Sequence, residues 1–129
     1  MATLKRIWFD LNPQEKTAWQ TFLRAADLTP DEHVDFTVGI FEDGALLATG
    51  SLAGNIIKEV AVSPDAQHEN LLAQIIQALL DRLDDEAITH SFVYTKPSTK
   101  KFFESLGFKQ LVATDTVVLL ERGYPNFAD

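Results

Sequence analysis

The sequence predicts an α/β domain, a mixed sheet with helices on both faces. Three observations predict it. Apolar residues switch between a period near two and a period near 3.6, in the order β-α-β-β-β-α-β-α-β-β. Asp43-Gly44 sits between two apolar runs, the pattern of a two-residue hairpin. Ile56 to Val62 is an almost unbroken apolar run that leads, through a polar turn, into the most strongly amphipathic helix of the chain.

Each element has its own signal. Leu4 to Phe9 reads as a first strand, with Ile7 and Phe9 on one face. Asn12, Pro13 and Glu15 give a helix start: an N-cap, a proline at the first position and a glutamate placed to close a capping box. Ala18, Trp19, Phe22, Leu23 and Ala26 follow at helical spacing and form its buried face. Leu28 to His33 is a loop. Phe36 to Phe41 and Ala45 to Leu52 flank the Asp43-Gly44 turn, and Ile56 to Val62 reads as a central strand buried on both faces. Leu71, Ile75, Leu79 and Leu83 line one stripe of the long helix, with Leu72, Ile76 and Leu80 beside it. Ser91 to Tyr94 is a short strand. Pro97 opens a short helix over Ser98 to Leu106, which Gly107 ends. Phe108 to Ala113 and Thr116 to Glu121 make a closing hairpin around Thr114-Asp115.

The 129 residues fit one domain, expected over residues 1–121, with residues 122–129 a tail or the start of a linker. No run approaches the roughly 20 apolar residues that span a bilayer. The absence of cysteine excludes disulfides, thiolate metal sites and cysteine nucleophiles, and fits a cytoplasmic protein. A net charge of -8 repels a phosphate backbone, so nucleic acid is not expected as a partner. No metal site is expected either. Asp84, Asp85 and Glu86 read as a solvated helix end, and His33 and His90 have no acidic or histidine neighbour at ligand spacing.

Two segments carry a family resemblance. Val60-Ala61-Val62, with the turn that follows to Gln67, resembles the strand and loop that hold acetyl-CoA in the GNAT acetyltransferase superfamily. Phe102-Phe103-Glu104-Ser105-Leu106-Gly107-Phe108 is similar to that family's last-helix motif, which ends in Gly-Phe. The run from Ala53 to Lys58, with Val60-Ala61-Val62 and Phe92 to Lys96, further resembles the N-terminal GNAT-like domain of citrate lyase ligase. The resemblance implies a mixed, mostly antiparallel GNAT-like sheet. The ligase family attaches acetate, using ATP, to the prosthetic-group thiol on the acyl-carrier subunit of citrate lyase. Its adenylating chemistry lies in a following nucleotidyltransferase domain with a His-x-Gly-His motif. The three histidines here, His33, His68 and His90, form no such motif. The resemblance therefore implies a lone domain or part of a longer ligase, with an acyl-carrier subunit as candidate partner.

It also implies site residues. Val60, Ala61, Val62, Gln67, Asn70 and Lys96 would contact acetyl-CoA or CoA. In the family loop, Arg/Gln-x-x-Gly-x-Gly/Ala, Gln67 fits, Asn70 replaces the first glycine, and Leu72 replaces the second small residue. Asn reaches positive φ more readily than most residues, whereas Leu72 would crowd a pyrophosphate and Glu69 opposes an anion. The family's tyrosine acid falls on Phe103, which cannot transfer a proton. Tyr94 is the nearest replacement, or else a packed strand tyrosine. Glu59 is a candidate base: Lys58 and Glu59 are adjacent on an apolar strand and so expected on opposite faces, one of them toward a cleft. Lys96 with Lys58 could receive a phosphate or a substrate carboxylate.

Three readings follow. The first is the GNAT-like domain of a citrate lyase ligase or close relative, binding or positioning an acyl thioester or a phosphopantetheine-type thiol, with weak or no activity of its own. The second is an active acetyl-CoA-dependent N-acetyltransferase. The third is an interaction domain whose cofactor cleft is degenerate, with CoA binding weak or lost.

Overall fold

The computed structural model describes residues 2–123, apart from the side chains of residues 67–69. Seven strands form one sheet in the order β1-β2-β3-β4-β5-β7-β6. They are β1 (Thr3–Arg6), β2 (Phe36–Glu42), β3 (Ala45–Ala53), β4 (Ile56–Val62), β5 (Ser91–Thr95), β6 (Lys109–Ala113) and β7 (Val118–Arg122). The helices are α1 (Pro13–Ala25), α2 (Leu71–Asp85) and α3 (Lys100–Ser105). Two short 3-10 segments, Pro64–Glu69 and Pro97–Thr99, precede α2 and α3. The element order read from the sequence is the one observed. Arg122 closes β7, so the sheet runs one residue into the expected tail, and residues 124–129 lie outside the described ones.

Two apolar clusters hold the layers together. Trp19 and Leu23 of α1 pack with Ile7 and Ala61 on one face. The α2 stripe, Phe103 of α3 and Phe108 pack on the other. The first strand ends earlier than the apolar run suggests, at Arg6, yet Ile7 still bonds to Thr37 (2.8 Å) and Phe9 tilts onto Trp19 at 4.6 Å. Asn12 caps α1 through Glu15 N (3.1 Å). The other half of the expected capping box does not form, because the Glu15 carboxylate pairs with Lys5 of β1 instead. Asp43 (φ 52) and Gly44 (φ 81) make the hairpin turn with positive φ at both positions.

β4 departs from expectation. Only Ile57 and Ala61 are fully buried, so the strand is not covered on both faces throughout. The cause is a bulge. Thr49 pairs with Ala61 and Ser51 with Lys58, so Glu59 and Val60 together oppose Gly50. Glu59 takes the left-handed conformation, φ 57. The extra residue flips the alternation: Ile57 belongs to the α2 cluster, Ala61 to the α1 cluster, and Val60 and Val62 pack on the α2 side.

Among the described residues β4 and β5 form the only parallel pair, and it is short. It comprises Ile56 with Phe92 and Ile57 with Val93. Its base is tied by Phe92 N to the Asn55 carbonyl (2.9 Å) and by Asn55 Nδ2 to the His90 carbonyl (2.8 Å). Beyond that the bulge bends β4 away, and β5 stops at Thr95, ahead of Pro97, which has no N–H to pair. The sheet opens there as a fork.

The last two strands make the far edge. Leu111 is the extra residue of a second bulge, between Gln110 and Val112, and every residue of β6 is exposed.

A Cβ built on Gly50 would lie 2.6 Å from Ile75 Cγ2 and 3.1 Å from Leu79 Cδ1. Gly50→Val is expected to destabilise the fold by about 1–3 kcal/mol through overpacking. Urea unfolding checks this; an unchanged midpoint would mean that α2 does not seat closely on the bulge.

Candidate functional site

Two adjoining cavities open from the fork. The first, of about 750 Å³, is lined by Lys58, Glu59, Tyr94 and Lys96, with Asp27 from beyond α1 and Asp115 from the β6–β7 turn. The second, of about 500 Å³, is lined by Val60, Ala61 and Val62 of β4, Asn70 and Leu72 at the head of α2, and Phe102 of α3. Val60, Thr95, Lys96 and Ser98 line both, so the two cavities meet across the fork.

The second cavity gathers five of the six residues expected to contact a cofactor: Val60, Ala61, Val62, Asn70 and Lys96. The sixth, Gln67, has its side chain outside the described residues. Asn70 does adopt the left-handed conformation, φ 61 and ψ 28, as its replacement of a glycine requires. The first turn of α2 holds no acidic residue, and the leading N–H groups of a helix lack partners within it. Leu72 is half-buried, part of the cavity wall and packed against the core. On β4 the ladder toward β5 ends at Ile57, so the β5-facing backbone groups of Val60 to Val62 have no strand partner among the described residues.

The first cavity gathers the candidate acid and base. Tyr94 is 49% exposed, a cavity-wall residue rather than a packed strand tyrosine. Glu59 carries a side-chain oxygen, Oε2, that is buried without a hydrogen-bond partner. Burial pushes its carboxyl above the ordinary glutamate value; Lys58 opposes this and Asp31 adds to it. Lys58 and Glu59 line the same cavity, contrary to the strand alternation expected of them, because Glu59 is itself a bulge residue in the left-handed conformation. Phe103 is fully buried, edge-on to Phe102 and Phe108, and lines neither cavity.

Both lysines are already engaged. Lys58 Nζ donates to Asp31 Oδ2 at 2.6 Å, and Lys96 Nζ to the Ala26 carbonyl at 2.8 Å. Asp31 Oδ1 also accepts from His33 N (2.9 Å) and faces His33 Nδ1 (3.1 Å). The Lys58 bond, with these two, holds the Asp31 carboxyl well below the usual carboxylate range. Sequence spacing missed these acids. His33 lies on Asp31, and His90 Nε2 lies 2.6 Å from Glu121 Oε2, a partner 31 residues away. Among the described residues no three His, Asp or Glu side chains gather as a metal site, and no helix is long and apolar enough to cross a membrane.

The acetyltransferase (GNAT) domain model matches residues 10–118, most of the chain and both arms of the fork. The chain belongs to the GNAT acetyltransferase family. Its GNAT domain is related to citrate lyase ligases. The [citrate [pro-3S]-lyase] ligase of Haemophilus influenzae is 38% identical over 105 residues, 80% of this chain and 31% of that protein. The chain thus spans about a third of the length of that ligase. Among solved structures, an acyl-CoA N-acyltransferase from Pseudomonas aeruginosa superposes with a TM-score of 0.79 at 17% identity, over 95% of this chain and 100% of its own. N-acetylglutamate synthase from Neisseria gonorrhoeae, solved with coenzyme A and N-acetyl-glutamate, gives 0.73 at 15% identity, over 98% of this chain and 36% of that one. These two likenesses bear on the fold.

Because burial raises Glu59, the folded state binds its proton to a higher pH than the unfolded state does. Stability is therefore lost as pH rises from the ordinary glutamate value, about 4.3, up through the raised value of the folded state. Glu59→Gln is expected to raise the melting temperature at about pH 7 and to lose that advantage near pH 4. Equal effects at both pH values would mean that Glu59 is not desolvated.

Proposed function

We propose that the fork between β4 and β5 receives a pantetheine-type arm, as thiol or thioester, carried by coenzyme A or by an acyl-carrier protein. The observation that carries this reading is the two-residue β4–β5 ladder, beyond which Val60 to Val62 line an open cavity. A pantetheine arm contains two amides, and an extended amide chain can add to a free strand edge as a peptide does. Its phosphate end would meet the head of α2, where unpaired N–H groups and the helix dipole favour an anion. The left-handed Asn70 aims that head at the cavity. Leu72 narrows it, which supports weaker binding than a glycine loop gives. In a longer ligase-like protein this domain would position the thiol of an acyl-carrier subunit for chemistry done elsewhere.

A second reading is direct acyl transfer to an amine in the first cavity. It is favoured by Glu59, whose buried, unpartnered oxygen sits on a left-handed residue in the wall of the first cavity. Backbone strain kept at a cavity wall is a mark of a working residue. The amine nitrogen would attack the thioester carbonyl, its proton passing to Glu59 as general base. The carbon–sulfur bond would then break, and the departing thiolate would take a proton from Tyr94.

Coenzyme A is expected to stabilise the protein by about 2.7 kcal/mol at a hundredfold excess over Kd. Asn70→Val should weaken this response and Asn70→Gly should keep it, because only the first forbids the left-handed turn. No thermal shift with coenzyme A at millimolar concentration would sink the first reading. Glu59→Gln should leave that shift intact while lowering acetyl transfer to amines by roughly 10²–10⁴-fold. A variant as active as the parent would remove Glu59 from the second.

A further inference from the structure

Glu59 and Lys58 are consecutive residues on the wall of one cavity, and Lys58 is the cation nearest to Glu59 in the chain. The obvious outcome is an ion pair between them, which would cancel the charge of Glu59. It does not form. The Lys58 ammonium turns instead to Asp31, 27 residues earlier, on the segment that joins α1 to β2. Asp31 is itself fixed: Oδ1 takes the two contacts from His33, which leaves Oδ2 aimed at Lys58. Glu59 Oε2 is left without a partner.

We infer that Asp31 is a positioning residue: by holding Lys58 away, it keeps Glu59 a free carboxylate facing the cavity where the fork opens. The inference rests on the acyl-transfer reading for its purpose, and on geometry for its content. Other charged and titratable groups surround Glu59. Lys58 lies on its own strand. Asp27 and Asp31, the latter bonded to His33, come from the α1–β2 segment, Tyr94 and Lys96 from the end of β5, and Asp115 from the β6–β7 turn. Lys96, the other cation of the cavity wall, is likewise held, by the Ala26 carbonyl. Both cations are thus hydrogen-bonded on the α1 side, and neither bonds to Glu59.

The test is a carbon-detected NMR titration of the Glu59 carboxyl in the full chain, read in four proteins: parent, Asp31→Asn, Lys58→Met and the double variant. Asparagine keeps an oxygen for His33 but loses the charge that holds Lys58. In Asp31→Asn, Lys58 should swing onto Glu59 and lower its midpoint by about one pH unit or more, the size of a close opposite charge. Once Lys58 is methionine, the same Asp31 change should move Glu59 by less than half as much. Equal shifts with and without Lys58 would mean that Asp31 acts only through space, and no shift at all would mean that it does nothing; either result overturns the inference. Asp31→Glu should restore the parent midpoint. Coenzyme A thermal shifts on the same proteins separate the two claims. A parent that ignores coenzyme A defeats the proposed function while the titration still reports on Asp31.

Discussion

The structure turns on one two-against-one mismatch between neighbouring strands. Glu59 and Val60 face the single residue Gly50, and three things follow from that surplus residue. The strand bends away from β5 and leaves a gap. The side chains beyond it exchange faces, which sends Ala61 to the α1 cluster and Val60 and Val62 to the α2 cluster. A charged residue is set at the lip of the gap in a backbone conformation that ordinary residues avoid. Gly50 makes the arrangement compatible with a close-packed core. Lacking a side chain, it lets Ile75 and Leu79 settle against the sheet where the ladder is irregular.

The electrostatics of the gap are set by which charges are already spoken for. The protein is strongly acidic, with 19 acidic and 11 basic residues. Such a surface opposes an anionic cofactor unless donors are concentrated locally. Lys58 and Lys96 line the gap but are bonded to Asp31 and to Ala26. Neither ammonium is therefore left unbonded at the gap. The same cavity wall carries the carboxylates of Asp27, Glu59 and Asp115.

Much of this was legible in the sequence, for identifiable reasons. Helices and strands announced themselves through periodicity, and Asp43-Gly44 through turn chemistry that admits few alternatives. Asn70 could be read as left-handed because it stands where a glycine is otherwise needed. The pair Lys58-Glu59 was visibly out of place on an apolar strand. What could not be read was the register. A bulge is a relation between two strands, and nothing in residues 56–62 alone states that one of them is surplus. Glu15 was assigned to a local cap, yet its carboxylate reaches Lys5, because tertiary partners outcompete local ones when they carry charge. Asp31 left no signal. It lay in an ordinary loop, and its importance arises only when folding brings it to Lys58.

The brevity of the β4–β5 pairing also shapes how the chain can fold. β1 to β4 are joined as successive antiparallel neighbours, and β5, β7 and β6 form a second antiparallel group. Within them the consecutive pairs β2–β3, β3–β4 and β6–β7 form from contacts close in sequence, which is the fast route. Their union requires the crossover through α2 to close for a ladder of two residue pairs. That closure costs chain entropy and gains few backbone bonds. The reward comes from burying the α2 stripe, so apolar burial rather than strand pairing unites the two halves of the sheet.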